Sequence, residues 1–188
     1  MSESATKLEL LVILDEVFRN RGYEGATLAE LSRACNLGKA SLYHHFPGGK
    51  EEMATILLRR AVAELNEFAF RQLDRPGPWR ERIAGFVDGF ARYCNDGTRN
   101  CLVAEFTATA ARTKFGVEIQ GQTVEWLQRL TQAFTETGVT EKRSRRRARE
   151  LLGALYGALV MARMLNDPTL FQSTVQRLRK DLVEEAGR

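Results

Sequence analysis

An all-α fold of about nine helices is what this 188-residue sequence predicts. Only four prolines occur, Gly and Pro cluster at a few points, and the alternation of β-branched residues that marks strands is missing. The periodic segments all repeat at helical spacing instead. Helices are expected near residues 6–21, 28–35, 39–45, 50–73, 78–95, 101–111, 113–137, 142–165 and 168–186.

Several boundaries carry a physical signal. Thr27 and Glu30 form the pattern T-x-x-E, a capping box in which the hydroxyl takes a first-turn N–H and the carboxylate reaches back to the cap, so the second helix starts at Leu28. In "RPGPW", Pro78 suits a first helical turn, where its missing N–H does no harm. Trp79, Ile83, Phe86, Phe90 and Tyr93 then recur at steps of four and three to make one apolar face. In "NDP", Asp167 caps and Pro168 takes the first position of the last helix, whose buried stripe is Phe171, Val175, Leu178 and Leu182.

The eighth helix differs from the others. From Leu151 to Ala162, "LLGALYGALVMA", it carries no charge on any side, so it must be covered all round. At about 15 residues it is too short to cross a bilayer without tilt or thinning. One side is therefore expected on its own core and the other on a second copy of the chain, with Gly153 and Gly157 permitting close approach. Leu151, Leu155 and Val160, with the stripe of the last helix, complete the expected two-fold interface.

Composition narrows the function classes. No run approaches the roughly 20 apolar residues of a membrane helix, and the first ten residues lack the basic start of a signal peptide, so a soluble cytoplasmic protein is expected. Cys35, Cys94 and Cys101 show neither C-x-x-C spacing nor a disulfide framework, which fits a reducing compartment and inert buried thiols. The net charge of +4 is unevenly placed: Met1 to Met53 holds six Lys/Arg against eight Asp/Glu, so the basicity lies later, with six basic residues in "KRSRRRAR", Lys142 to Arg149. That run reads as the solvated first turns of a helix, or as a patch for nucleic acid.

The chemistry-bearing stretch is "NLGKASLYHHFPGGKEEM", Asn36 to Met53. Adjacent histidines on a helix point about 100° apart, so His44 and His45 do not suit one metal ion. A phosphate loop G-x-x-x-x-G-K-[ST] would need glycine where His44 stands and a hydroxyl where Glu51 stands. Ser41 and His45 are one turn apart, yet no G-x-S-x-G elbow occurs and nothing orients the base. No metal, cofactor or catalytic residue is therefore expected, and an enzyme is not. A helix over Leu28 to Cys35, a tight turn at "NLG" and a second helix over Lys39 to His45 make a helix-turn-helix, in which Asn36 and Gly38 tolerate unusual backbone angles. Leu31, Leu37, Leu42 and Phe46 would be its packing. That leaves Lys39, Ala40, Ser41, Tyr43, His44 and His45 as the face for a major groove, with Tyr43 and His45 either outward or partly buried.

Taken in order, "GYEGATLAELSRACNLGKASLYHHF" and "GGKEEM" resemble the DNA-binding domain of the tetracycline-repressor (TetR) family of bacterial transcriptional regulators. The resemblance rests on Gly22 and Tyr23 closing the first helix, Thr27 capping the second, and the run Leu42, Tyr43, His45, Phe46 followed by a lysine. It implies a DNA-binding domain over 1–49 and a larger ligand-binding and dimerisation domain over 50–188. It also implies DNA contacts at Thr27, Lys39, Ala40, Ser41, Tyr43, His44, His45 and Lys50, with Tyr43, Lys50 and the Thr27 cap holding phosphates. The chain departs from the pattern at Asn36, where the turn usually has glycine, at Gly38, where a Ser or Thr usually caps, and at Ser32, where alanine is common. "FPGGK" has one residue more than the commonest form and is similar to the LmrA/YxaF-like branch. The implied function is a homodimeric repressor released from a palindromic DNA operator by a small apolar or aromatic effector. Phe86, Phe90, Phe106, Trp126, Phe134, Tyr156 and Met164 either line the effector cavity or are plain core. Two alternatives stay open: a non-sequence-specific DNA-binding protein using Lys142 to Arg149, and a small-molecule-binding enzyme.

Overall fold

The computed structural model describes residues 6–107 and 109–184, with side chains over 6–107 and 111–181. Among these the chain forms nine α-helices and no strand: α1 (Lys7–Gly25), α2 (Leu28–Ala34), α3 (Lys39–His45), α4 (Gly49–Phe68), α5 (Trp79–Tyr93), α6 (Leu102–Glu105), α7 (Thr109–Thr135), α8 (Glu141–Met164) and α9 (Thr169–Glu184). Two 3₁₀ segments, Phe70–Asp74 and Asn95–Gly97, flank α5.

Local chemistry sets the ends. One half of the expected box forms at Thr27, whose hydroxyl accepts the Glu30 N–H at 3.2 Å. The complete box stands one helix earlier: Thr6 accepts the Glu9 N–H at 3.3 Å, and the Glu9 carboxylate accepts the Thr6 N–H at 2.6 Å. Those hydrogen bonds hold the Glu9 carboxyl below its ordinary range. Pro78 and Pro168 each lie one residue outside the helix that they were expected to begin, with Trp79 and Thr169 first. The Asp167 carboxylate still caps, accepting the Thr169 N–H at 3.0 Å and hydroxyl at 2.6 Å.

Two expected helices end early. The fourth, expected to reach residue 73, stops at Phe68 and continues as 3₁₀. The Gln72 side chain turns back to donate to the freed Phe68 carbonyl at 3.2 Å, and α5 occupies the space beyond it. At Gly89 a Cβ would lie 1.9 Å from that same carbonyl oxygen. The sixth, expected over 101–111, is the single turn α6, because the Thr107 hydroxyl donates to the Ala104 carbonyl at 2.6 Å and closes it.

The chain divides into two compact units. One comprises Met1–Val62 and Cys101–Ile119, the other Ala63–Asn100 and Gln120–Arg188, so α4 and α7 each contribute to both. This partition differs from a cut after residue 49. In the first unit Leu10, Leu14, Phe18, Leu31, Leu42, Phe46 and Met53 are buried. Phe106 stacks on Phe115 at 5.2 Å and meets Phe18 and Tyr23 edge-on at 5.8 and 5.9 Å, so the later stretch of chain supplies part of this core. In the second unit Phe70 stacks on Trp126 at 5.0 Å and 9°, Phe86 packs on Phe70 at 4.9 Å, and Phe90 meets Tyr156 at 5.1 Å. The Trp126 indole N–H donates to the Asn66 side-chain oxygen at 2.7 Å, which satisfies the one polar atom the ring brings into that core.

Candidate nucleic-acid interface

Helices α2 and α3 are joined by a turn that depends on one backbone conformation. Asn36 has φ +50°, the left-handed region that Asn adopts more readily than most residues. Gly38 has φ −68° and an extended backbone, so the turn makes no use of its freedom, and as the cap of α3 it offers no side-chain hydrogen bond. Ser32, the departure from alanine, clips the turn. Its hydroxyl donates to the Leu37 carbonyl, and its own carbonyl accepts the Leu37 N–H at 3.0 Å.

Leu42 and Phe46 hold α3 down, buried at 1% and 0% exposure, while Leu37 is half-buried. The spacing then turns Lys39, Ala40, Ser41, Tyr43 and His44 outward, all exposed, with Tyr43 at 44%. His45 is half-buried and lies 6.5 Å from Phe46, ring to ring, so it only partly shares the outer face. Thr27 is exposed at the start of α2. The arrangement is a short helix that presents one cation, a methyl, a hydroxyl, a phenol and an imidazole to solvent. These groups suit base edges and phosphate oxygens.

Lys50 is half-buried at the start of α4. Its ammonium lies 4.3 Å over the Tyr23 ring and donates to the Glu24 carbonyl at 3.4 Å. Burial lowers its affinity for the proton below that of an ordinary lysine, with Glu24 pulling the other way. Lys50 thus ties the start of α4 to the end of α1. Glu52 makes a second tie, accepting the Gly48 N–H at 2.8 Å and pairing with Lys7 at 3.3 Å. A third comes from Glu24, whose carboxylate accepts the Ala111 N–H at 3.0 Å, while Lys114 pairs with Glu51. Sequence reasoning missed the long-range ties, since residues 26 to 87 apart carry no local pattern.

Five of the seven residues expected at an effector site, Phe86, Phe90, Phe106, Trp126 and Phe134, are buried. Phe86, Phe90, Trp126 and Phe134 are buried against neighbours, and Tyr156 is half-buried against Phe90. Phe106 belongs to the core of the other unit, and Met164 is 72% exposed, because it follows the face of α8 that turns away from α9 and α5. A groove of about 620 Å³ does open beside α7 and α8, lined among others by Val124, Gln128, Gln132, Arg145 and Arg149, and none of the seven lies in it.

The expected interface also separates into two sets. Leu151, Leu155 and Phe171 are at most 6% exposed and belong to the chain's own core, since helical spacing turns them inward. Gly153, Gly157 and Val160 are exposed, joined by Met161, Met164 and Leu165 at 47%, 72% and 62%. Val175 and Leu178 are half-buried, and Leu182 lies outside the described side chains. Among the described residues no helix is long and apolar enough to cross a membrane.

A capped helix, a left-handed turn and an exposed second helix define a helix-turn-helix DNA-binding domain. Residues 14–55 match the family described as bacterial regulatory proteins, tetR family. Over that stretch the chain is similar to that family. The HTH-type transcriptional regulator LmrA of Bacillus subtilis (strain 168) is 35% identical over 68 residues, 36% of this chain and 34% of LmrA, so the match spans about a third of that relative's length. A TetR transcriptional regulator from Legionella pneumophila shares the fold with TM-score 0.72 at 20% identity, over 96% of this chain and 99% of its own. AibR, solved in complex with isovaleryl coenzyme A and operator DNA, shares it with TM-score 0.63 at 19% identity, over 79% of this chain and 82% of its own.

Proposed function

We propose that the protein is a ligand-responsive, sequence-specific DNA-binding transcriptional regulator acting as a homodimeric repressor in the cytoplasm. The observation that carries this reading is α3, whose Lys39, Ala40, Ser41, Tyr43 and His44 stand exposed while Leu42 and Phe46 anchor it. Lys39 and the exposed N-terminus of α2 at Thr27 reach phosphates, Ser41 and His44 reach base edges, and Ala40 offers a methyl contact. The exposed apolar face of α8, from Gly153 to Leu165, supports a second copy as partner, which sets two recognition helices on a palindromic operator.

Release follows from a population shift. An effector lowers DNA affinity only by its preference for the state whose recognition helices no longer match successive major grooves. Helix α4, one of the two helices that serve both compact units, starts directly after the helix-turn-helix and so carries the coupling. A small apolar or aromatic effector enters by parting the rings of Phe90 and Tyr156, which pack edge-on at 5.1 Å. The operator-and-ligand complex of AibR, a protein of similar fold, supports this pairing of functions. No residue acts as a catalyst on this reading.

Footprinting of duplex DNA with and without a panel of small molecules tests it. A protected palindrome that one compound releases is the expected result; no palindromic protection at moderate salt would refute the proposal.

A further inference from the structure

The loop "FPGGK" raises the question of why two glycines stand between Pro47 and Lys50. Gly48 is exposed and has no positive φ. Gly49, the first residue of α4, is buried although Gly48 before it is exposed, and its φ is +62°. What covers it is the ring of Tyr43: a Cβ at Gly49 would lie 3.1 Å from Tyr43 Cε1 and 3.6 Å from both Cζ and the hydroxyl oxygen. A contact of 3.1 Å is tighter than nine in ten that real Cβ atoms make. The Gly49 N–H donates to the Phe46 carbonyl at 2.8 Å, so its backbone is held under the ring and cannot withdraw freely.

Resting on the DNA-binding reading, the geometry points to Gly49 as a positioning residue for DNA recognition: its bare α-carbon is the seat of the Tyr43 ring and aims the phenol at the phosphate backbone. Lys50, turned onto Tyr23 and Glu24, leaves that aim to Tyr43. The second glycine thus has a job distinct from lengthening the loop. Positive φ alone would admit Asn, as Asn36 shows in the same domain. A side chain at this position would push the Tyr43 ring off its seat by a few tenths of an ångström.

The test compares Gly49→Ala, Gly49→Asn, Tyr43→Phe and the double variant Gly49→Asn/Tyr43→Phe on duplexes that the wild-type chain selects from a random library. Gly121→Ala, where a Cβ meets nothing within 4 Å, is the control. Gly49→Ala and Gly49→Asn are expected to weaken binding about tenfold, Tyr43→Phe by a similar factor, and the double variant no further than either single change. The Gly49 α-protons should show the ring-current shift of an aromatic face, lost in Tyr43→Ala, which reads the seat in free protein. Gly49→Asn binding like wild type, or its full loss adding to that of Tyr43→Phe, would overturn the inference and leave the regulator reading intact. Failure of the wild-type chain to select any duplex would overturn both.

Discussion

Gly89→Ala isolates the most tightly constrained helix crossing in the chain. The added Cβ would sit 1.9 Å from the Phe68 carbonyl oxygen, 2.5 Å from its carbon and 2.7 Å from Ala69 Cα. Real Cβ contacts stop near 3.0 Å, so α5 must move away from the end of α4 by about 1.1 Å, and every atom in the way is backbone. Overpacking of this kind costs about 1–3 kcal/mol, and with no side chain free to swing aside the upper end applies. Replacing glycine by alanine inside a helix returns about 1 kcal/mol, leaving a net loss of about 2 kcal/mol. For a chain of this size that lowers Tm by roughly 4–8 °C. Scanning calorimetry at one fixed protein concentration reads it, with Gly121→Ala beside it. The control has the same propensity gain and open space, so its Tm should stay level or rise. A Gly89→Ala protein as stable as wild type, or a control that falls equally, would refute the crossing argument.

Other changes separate the roles assigned above. Tyr43→Ala should weaken binding by a similar factor on every operator variant, whereas Ser41 or His44 substitutions should change which base is preferred, as read by binding to single-base variants. Neutralising Arg145, Arg146 and Arg147 should leave specific binding largely intact; abolition would favour a non-specific role for that run. Val160→Asp with Met164→Asp, both on exposed side chains, should leave the chain folded by circular dichroism but monomeric in sedimentation, with palindrome affinity down at least a hundredfold. Asn66→Leu strips the Trp126 N–H of its partner and should cost about 1–3 kcal/mol in denaturant unfolding, while Asn66→Asp should restore most of it.

Helix number and the helix-turn-helix were legible because their signals are local. The stripe from Trp79 to Tyr93 and the Thr27 cap are written within a few residues of where they act. Errors arose where a distant partner decides. Nothing near Phe68 announces that Gly89 will lie against it, so α4 ends at Phe68 and not at residue 73, and nothing near Phe106 announces Phe18. On α8 the composition correctly marked an apolar helix, but the spacing, not the composition, divides it into an inner row at Leu151 and Leu155 and an outer row at Gly153, Gly157 and Val160. The motif marks Lys50, but its contacts with Tyr23 and Glu24 come from a distant stretch of chain.

The first compact unit has a consequence for anyone who would transplant it. Hybrid regulators are commonly assembled by splicing a DNA reader to a foreign sensor at one junction. Here a splice after residue 49 would remove Phe106 and Phe115 from Phe18 and Tyr23, and leave the Glu24 carboxylate without the Ala111 N–H. A portable reader from this chain needs two inherited stretches, Met1–Val62 and Cys101–Ile119, and so three junctions.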